Sequence, residues 1–173
     1  MPDLSDERWS EPPPVWLLDV DGVINVKRPG WGAAPFHGRA HALGTEWRLR
    51  WAPALVQRIR RLHRDGVAEV RWCSTWCAWP GEIERLFKLP GLDRAFGEVP
   101  DFSVAKLAAA RTVLREGRRL VWTDDVEVPG PGPLRDELVR DGRALLIRPD
   151  PRRGLQPVHL DAIEAFCTTP LGS

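Results

Sequence analysis

Asp19 and Asp21 stand one residue apart at the end of an apolar run, Val15-Trp16-Leu17-Leu18-Asp19-Val20-Asp21-Gly22-Val23-Ile24. Two carboxylates leaving a strand at i and i+2 lie close together and repel. Such a pair persists where it binds a cation or where one member does chemistry. We read Asp19 as a nucleophile and Asp21 as its acid/base partner. Polar groups recur where later apolar runs end: Ser74-Thr75-Trp76 after Val67 to Cys73, and Thr123-Asp124-Asp125 after Leu120-Val121-Trp122. Lysine occurs only at 27, 88 and 106 in a chain whose positive charge is otherwise arginine. A lysine is a compact point charge, so the few that occur merit a closer look, Lys106 among them.

The elements that must position these groups follow from periodicity. Strands are expected over Val15 to about Val20, Val67 to Cys73, Leu120 to Trp122 and Ala144 to Ile147, with a short one around Glu98-Val99. Helices are expected from Trp51-Ala52-Pro53 to Asp65-Gly66, from Pro80 to Leu89, from an N-cap at Ser103 to Arg115, from Leu134 to Arg140 and from Val158 to Phe166. In the first helix Leu55, Val56, Ile59 and Leu62 share one face, leaving Arg58, Arg60, Arg61 and Arg64 as a solvated one. Strands alternating with helices make an α/β fold with a parallel sheet covered on both faces, and right-handed crossovers bring the carboxyl ends of the strands to one edge. Asp19, Asp21, Ser74, Asp124 and Asp125 therefore converge, where ligands bind in open α/β sheets. Asn25 to Arg50 is rich in turn formers and reads as a flap, in which Arg39 to Arg50 could supply a hairpin arm ending in the alternating stretch Glu46 to Arg50. The expected organisation is a tail over 1–14, one domain over 15–168 with the flap at about 25–50, and a short tail over 169–173.

Bulk properties narrow the function classes. With 173 residues, 43% of them hydrophobic and 28% charged, the chain suits one soluble domain with a real core. A formal net charge of +1 carries no global polyelectrolyte signature. Three cysteines, Cys73, Cys77 and Cys167, lack redox or zinc spacing and read as reduced, mostly buried thiols. The N-terminus has no apolar signal core and no stretch approaches membrane-spanning length, so the expected location is cytoplasmic, without a membrane partner.

Taken in order, the pieces are Asp-x-Asp, Ser/Thr, Lys, Asp-Asp, and this set resembles the haloacid dehalogenase superfamily of phosphohydrolases. Its motifs correspond to Leu18-Asp19-Val20-Asp21-Gly22-Val23, to Ser74 with Thr75 a competitor, to Lys106, and to Thr123-Asp124-Asp125. The chain is most similar to small bacterial proteins related to the phosphatase-like domains of RNA-repair enzymes. That likeness rests on the first motif, Trp72-Cys73-Ser74-Thr75-Trp76, Trp122-Thr123-Asp124-Asp125 and Asp150-Pro151-Arg152-Arg153-Gly154-Leu155. The resemblance implies a three-layer α/β/α sandwich with a Rossmann-like parallel sheet, capless or with a small flap. It further implies a Mg²⁺-dependent phosphatase working through an aspartyl-phosphate, in which Asp19 attacks and Asp21 moves protons. Asp19, Asp124 or Asp125, and the Asp21 backbone carbonyl would hold the metal. Lys106 and Ser74 would contact phosphoryl oxygens, and Gly22, Thr75 and Trp76 would line the substrate. An open site suits a large phosphate monoester such as a nucleic-acid end or a phosphoprotein, and a nucleotide or small phosphorylated metabolite fits if the flap or a partner subunit closes the site.

Other readings bear on the same residues. A calcium loop is disfavoured because Val23, Ile24 and Val26 stand where further oxygen ligands belong. A response-regulator receiver would place its acidic pair first. Thr123-Asp124-Asp125 could cap a following segment. His37 and His41 have no third metal ligand and read as a surface pair. Of nine tryptophans, Trp76 and Trp79 could stack on a base, while most serve packing. A degenerate binding module and a phosphotransferase to an acceptor other than water are the competing functions.

Overall fold

The computed structural model describes residues 11–172; Trp9 and most of the expected N-terminal tail lie outside them. Strand β1 (Val15–Leu18) is buried along its whole length. It lies at the centre of a five-stranded parallel sheet between β4 (Glu69–Trp72) and β6 (Leu120–Thr123), with β5 (Asp93–Arg94) and β7 (Ala144–Ile147) at the edges. A strand covered on both faces needs a continuous apolar run, which Val-Trp-Leu-Leu supplies.

Side chains alternate between two cores. Trp16 and Leu18 face helices α1 (Pro53–Arg64), α2 (Pro80–Phe87) and α5 (Pro157–Thr168) through Leu55, Ile59, Ile83, Phe87, Leu160 and Ile163. Val15 and Leu17 face α3 (Phe102–Arg115) and α4 (Pro133–Val139) through Ala110, Val113 and Leu138. The three-layer sandwich is therefore present.

Register carries the site. Leu18 pairs with Trp72 on one side and Thr123 on the other. The next residues, Asp19, Cys73 and Asp124, leave the sheet side by side, and the backbone amides of Asp19 and Cys73 still donate to Thr123 and Leu18 carbonyls at 3.2 and 2.9 Å. Strand β1 is shorter than its apolar run because the Val20 carbonyl turns back to accept from the amides of Val23, Ile24 and Asn25.

The flap is an antiparallel ribbon, β2 (Phe36–Ala42) with β3 (Thr45–Trp51), a hairpin that begins three residues before the arm expected over Arg39 to Arg50. Its two-residue turn holds Leu43 at φ 52° and Gly44 at φ 69°, the left-handed pair that matches strand twist in a tight hairpin. The ribbon lies on α2. Gly38 sits so close to Leu86 that a Cβ would collide with it, and Trp51 packs edge-on between Phe36 and Phe87.

Four expectations need correction. The short strand lies at Asp93–Arg94, paired with Arg71 and Trp72, and not at Glu98-Val99, which sit in a loop. The α3 cap is Asp101, whose carboxylate accepts from the Val104 amide at 3.1 Å, while the Ser103 hydroxyl donates to Glu127. Trp51 belongs to β3, and the helix after it begins at Pro53. The α1 arginines are not simply solvated. Arg58 pairs with Asp161 and Glu164 on α5, and Arg60 donates to the Phe87 and Lys88 carbonyls at the end of α2. All three cysteines are free thiols, and no helix of the described residues is long and apolar enough to cross a membrane.

Candidate active site

Side-by-side strand ends bring three carboxylates together. Asp19, Asp124 and Asp125 each offer an oxygen within 4.8 Å of the others. Lys106, near the start of α3 and buried, joins two of them, its Nζ lying 3.1 Å from Asp19 Oδ2 and 2.6 Å from Asp124 Oδ2. Burial raises the Asp19 carboxyl well above the ordinary range, and Asp124 pushes the same way against the pull of Lys106. For Lys106 burial acts against the charge, but the two aspartates outweigh it and hold the ammonium protonated. Burial, then Asp124, raises Asp125 as well.

The acids differ in how they are held. Asp124 Oδ1 accepts from the amides of Val126 and Glu127 at 2.9 and 2.8 Å, so with Lys106 on the other oxygen this buried carboxylate is fully engaged. Asp19 Oδ1 accepts only the Val20 amide, at 2.8 Å. The Asp125 carboxylate receives no hydrogen bond from another described residue and lies directly over Gly22, where a Cβ would strike it. Gly22 has φ 75°, so this position demands glycine for its backbone and for its space.

Asp21 stands apart from the acidic cluster. Its carboxylate is exposed and accepts from Asn25 Nδ2 at 2.7 Å and from the Trp76 indole Nε1 at 3.1 Å. Asn25 is in turn fixed, its Oδ1 accepting from the Arg50 amide at 2.9 Å. Two neutral donors therefore orient Asp21 without adding charge. Ser74 is fully buried, its Oγ accepting from the Trp76 amide at 3.2 Å at the head of a single 3₁₀ turn, Thr75–Ala78. The Ser74 O–H retains its capacity to donate. Thr75 is exposed on the rim.

Asp21 also lines a groove of about 660 Å³ walled by Trp47, Trp76, Trp79, Phe102, Thr75 and Leu43. The ribbon supplies one wall, the 3₁₀ turn another, and the loop before α3 the third. An acid oriented by neutral donors thus faces an aromatic groove, beside a buried acidic cluster compensated by one lysine.

The family model for the HAD domain in Swiss Army Knife RNA repair proteins matches residues 15–160. The chain belongs to this family. Its HAD-type domain is of the phosphohydrolase kind, and the sheet described above is the one the family resemblance implies. No curated protein and no solved structure matches the chain.

Of the residues expected to converge at the strand ends, Asp19, Asp124 and Asp125 come within reach of one another, and Lys106, named by the family resemblance, bridges Asp19 and Asp124. Of the other named residues, Gly22 lies against Asp125, Asp21, Thr75 and Trp76 line the groove outside the cluster, and Ser74 heads the 3₁₀ turn. Two contributors were missed: Asn25 and the Arg50 amide behind it. An amide four residues after Asp21, in a turn-rich segment, was the available signal.

Proposed function

We propose that this protein is a Mg²⁺-dependent phosphohydrolase that works through an aspartyl-phosphate on the phosphate monoester of a nucleic-acid end. The observation that carries the reading is the division between Asp19, buried against Lys106, and Asp21, facing the groove from outside the cluster. The donor set fits a hard dication. Three carboxylates and one ammonium leave two negative charges uncompensated, and all available ligands are oxygens. Asp19 and Asp125, with Asp124 and the Asp21 carbonyl adjoining, would hold the ion. Bound there, Mg²⁺ supplies Lewis-acid compensation for the phosphate's charge.

The remaining work falls to the chain. A carboxylate oxygen of Asp19 attacks phosphorus, the bond from phosphorus to the leaving oxygen breaks, and Asp21, acting as general acid, passes a proton to that oxygen. Water then attacks the acyl phosphate while Asp21 takes back a proton, freeing Asp19 and inorganic phosphate. Lys106 and the Ser74 hydroxyl stabilise the phosphoryl oxygens. Because Asp21 serves the leaving group and lines the groove, the leaving nucleoside belongs in the groove, against Trp76 and beside Thr75.

Hydrolysis of p-nitrophenyl phosphate and of 3′- and 5′-phosphorylated oligonucleotides, with Mg²⁺ or EDTA, tests this. The wild type should turn over a phosphorylated end with Mg²⁺ only, and Asp19→Asn should not. A wild type inert on every substrate, or an Asp19→Asn variant that matches it, overturns the reading.

A further inference from the structure

The segment Asp150 to Leu155 has a structural task that its arginine side chains do not share. Its backbone docks onto the site loop: the Leu155 amide donates to the Val23 carbonyl at 2.9 Å, and Gly154, at φ 65°, approaches that carbonyl so closely that a Cβ would collide with it. The same segment pins the loop before the ribbon. The Arg28 amide donates to the Arg152 carbonyl at 2.9 Å, Gln156 Nε2 to the Pro29 carbonyl at 2.9 Å, and the Trp31 indole to the Leu155 carbonyl at 2.9 Å. Asp150, the exposed acid of the segment, accepts the Arg152 amide at 2.7 Å and pairs with neither arginine side chain. The side chains of Arg152 and Arg153 are left over.

They are not alone. Lys27, Arg28 and Arg153 line an open cleft of about 510 Å³. Arg50, which donates to the Lys27 carbonyl at 2.8 Å, connects this cleft to the ribbon. Arg48, two residues before it on the same ribbon face, lines the aromatic groove beside Asp21. Six exposed cations thus run from the groove to the cleft. None of the six forms an ion pair with an acid among the described residues, a state shared by the isolated exposed arginines Arg61, Arg115 and Arg140; what sets the six apart is that they lie together. Keeping like charges together and unpaired costs stability unless a polyanion joins them.

We propose that this strip binds the phosphodiester backbone of a single-stranded polynucleotide whose phosphorylated end lies at Asp19. A basic track beside aromatic stacking faces is what sequence-tolerant recognition of single strands requires: cations for the phosphates, rings for the bases. Here Trp47, Trp79 and Phe102 supply the rings, and Arg48, Arg50, Lys27, Arg28, Arg152 and Arg153 supply the cations. The terminal nucleoside sits in the groove, and the strand leaves across the ribbon toward the cleft. This deepens the phosphohydrolase reading and depends on it only for where the strand ends.

The test separates binding from turnover. Fluorescence anisotropy with a 12-nucleotide labelled oligonucleotide is measured across a salt series for the wild type and for Lys27→Gln/Arg28→Gln/Arg152→Gln/Arg153→Gln. p-Nitrophenyl phosphate hydrolysis is measured on both. The wild type should bind the oligonucleotide at least tenfold more tightly than a mononucleotide. The variant should lose roughly tenfold or more in affinity, with the salt slope shallower by about 0.7 for each phosphate contact removed. Its p-nitrophenyl phosphate activity should equal that of the wild type, since none of the four residues touches the reacting phosphate. The paired variants Lys27→Gln/Arg28→Gln and Arg152→Gln/Arg153→Gln, each expected to lose part of the slope, replace the fourfold one if it does not fold. Equal oligonucleotide binding by wild type and variants, or a wild-type preference for vesicles of phosphatidylserine and phosphatidylcholine over the oligonucleotide, overturns the proposal. Binding that persists without any hydrolysis would keep the strip and refute only the enzyme.

Discussion

The loops that follow β1 and β6 begin alike and end differently. Each leaves the sheet at the same level, each puts a buried aspartate against Lys106, and each follows it with a second, more exposed acid. In the β6 loop the chain folds back so that two amides of its own grip Asp124. In the β1 loop the carbonyl of Val20 takes up three amides instead, leaving Asp19 with one. Asp124 is thereby a fixed part of the frame, while Asp19 keeps lone pairs and a destabilised charge available for bonding. Identical residue types side by side acquire different roles because of where the local backbone amides point.

Substitution should separate the two loops. The largest effect is on turnover: Asp19→Asn should lower kcat by roughly 10⁴ or more, as removal of a nucleophile does. Its Tm should stay level or rise, because the charge removed is one that burial and Asp124 disfavour. Asp124→Ala should also lose activity, but with a structural penalty. Breaking a buried ion pair costs about 3 kcal/mol, which for a domain of this size is a fall in Tm of roughly 6–12 °C. A larger thermal loss for Asp19→Asn than for Asp124→Ala, read by calorimetry, would break the comparison.

The exposed acids should be separable too. Asp21→Asn should reduce kcat by about 10²–10⁴ while stability moves by no more than about 0.5 kcal/mol, checked by paired rate and denaturation measurements. Gly22→Ala, by contrast, displaces Asp125 and places an alanine at φ 75°. The expected result is about 1–3 kcal/mol of destabilisation together with weaker Mg²⁺ activation.

The smallest effect lies far from both loops. His159 is held below its ordinary pKa by burial, and its neutral Nδ1 accepts from the Gln156 amide at 2.9 Å. The unfolded chain binds the proton first as pH falls below about 6.5, so the stability that His159 contributes at neutral pH is lost on acidification. Asp19 and Asp125, raised in the folded state, work in the opposite direction. Comparing Tm at pH 7.5 and 5.5 for wild type and His159→Gln isolates the histidine: the variant should lose less on acidification.

Much of the centre was legible because its logic is local. An apolar strand stopped by an acid, repeated twice, needs only the rule that parallel strands end together. The rim was harder. Asp101 and Ser103 are both good capping residues two positions apart, and only the contact of Ser103 with Glu127 decides between them. Strand β5 is two residues held by backbone pairing, so it leaves no side-chain pattern to read. Arg58 and Arg60 sit off the apolar stripe of α1, and a helical wheel does not show that α5 and α2 arrive beside them. Asn25 escaped notice because its task, linking Asp21 to the Arg50 amide, spans a fold of the chain that its neighbours do not announce.

Leu43 shows what a groove can ask of the chain that builds it. At φ 52° an asparagine or glycine would be easier by about 1 kcal/mol, and an apolar side chain 79% exposed is gained in exchange. An engineer seeking heat resistance would change this residue first. The Leu43→Asn protein should be the more robust molecule and the worse catalyst for large substrates, with its rate on p-nitrophenyl phosphate unchanged.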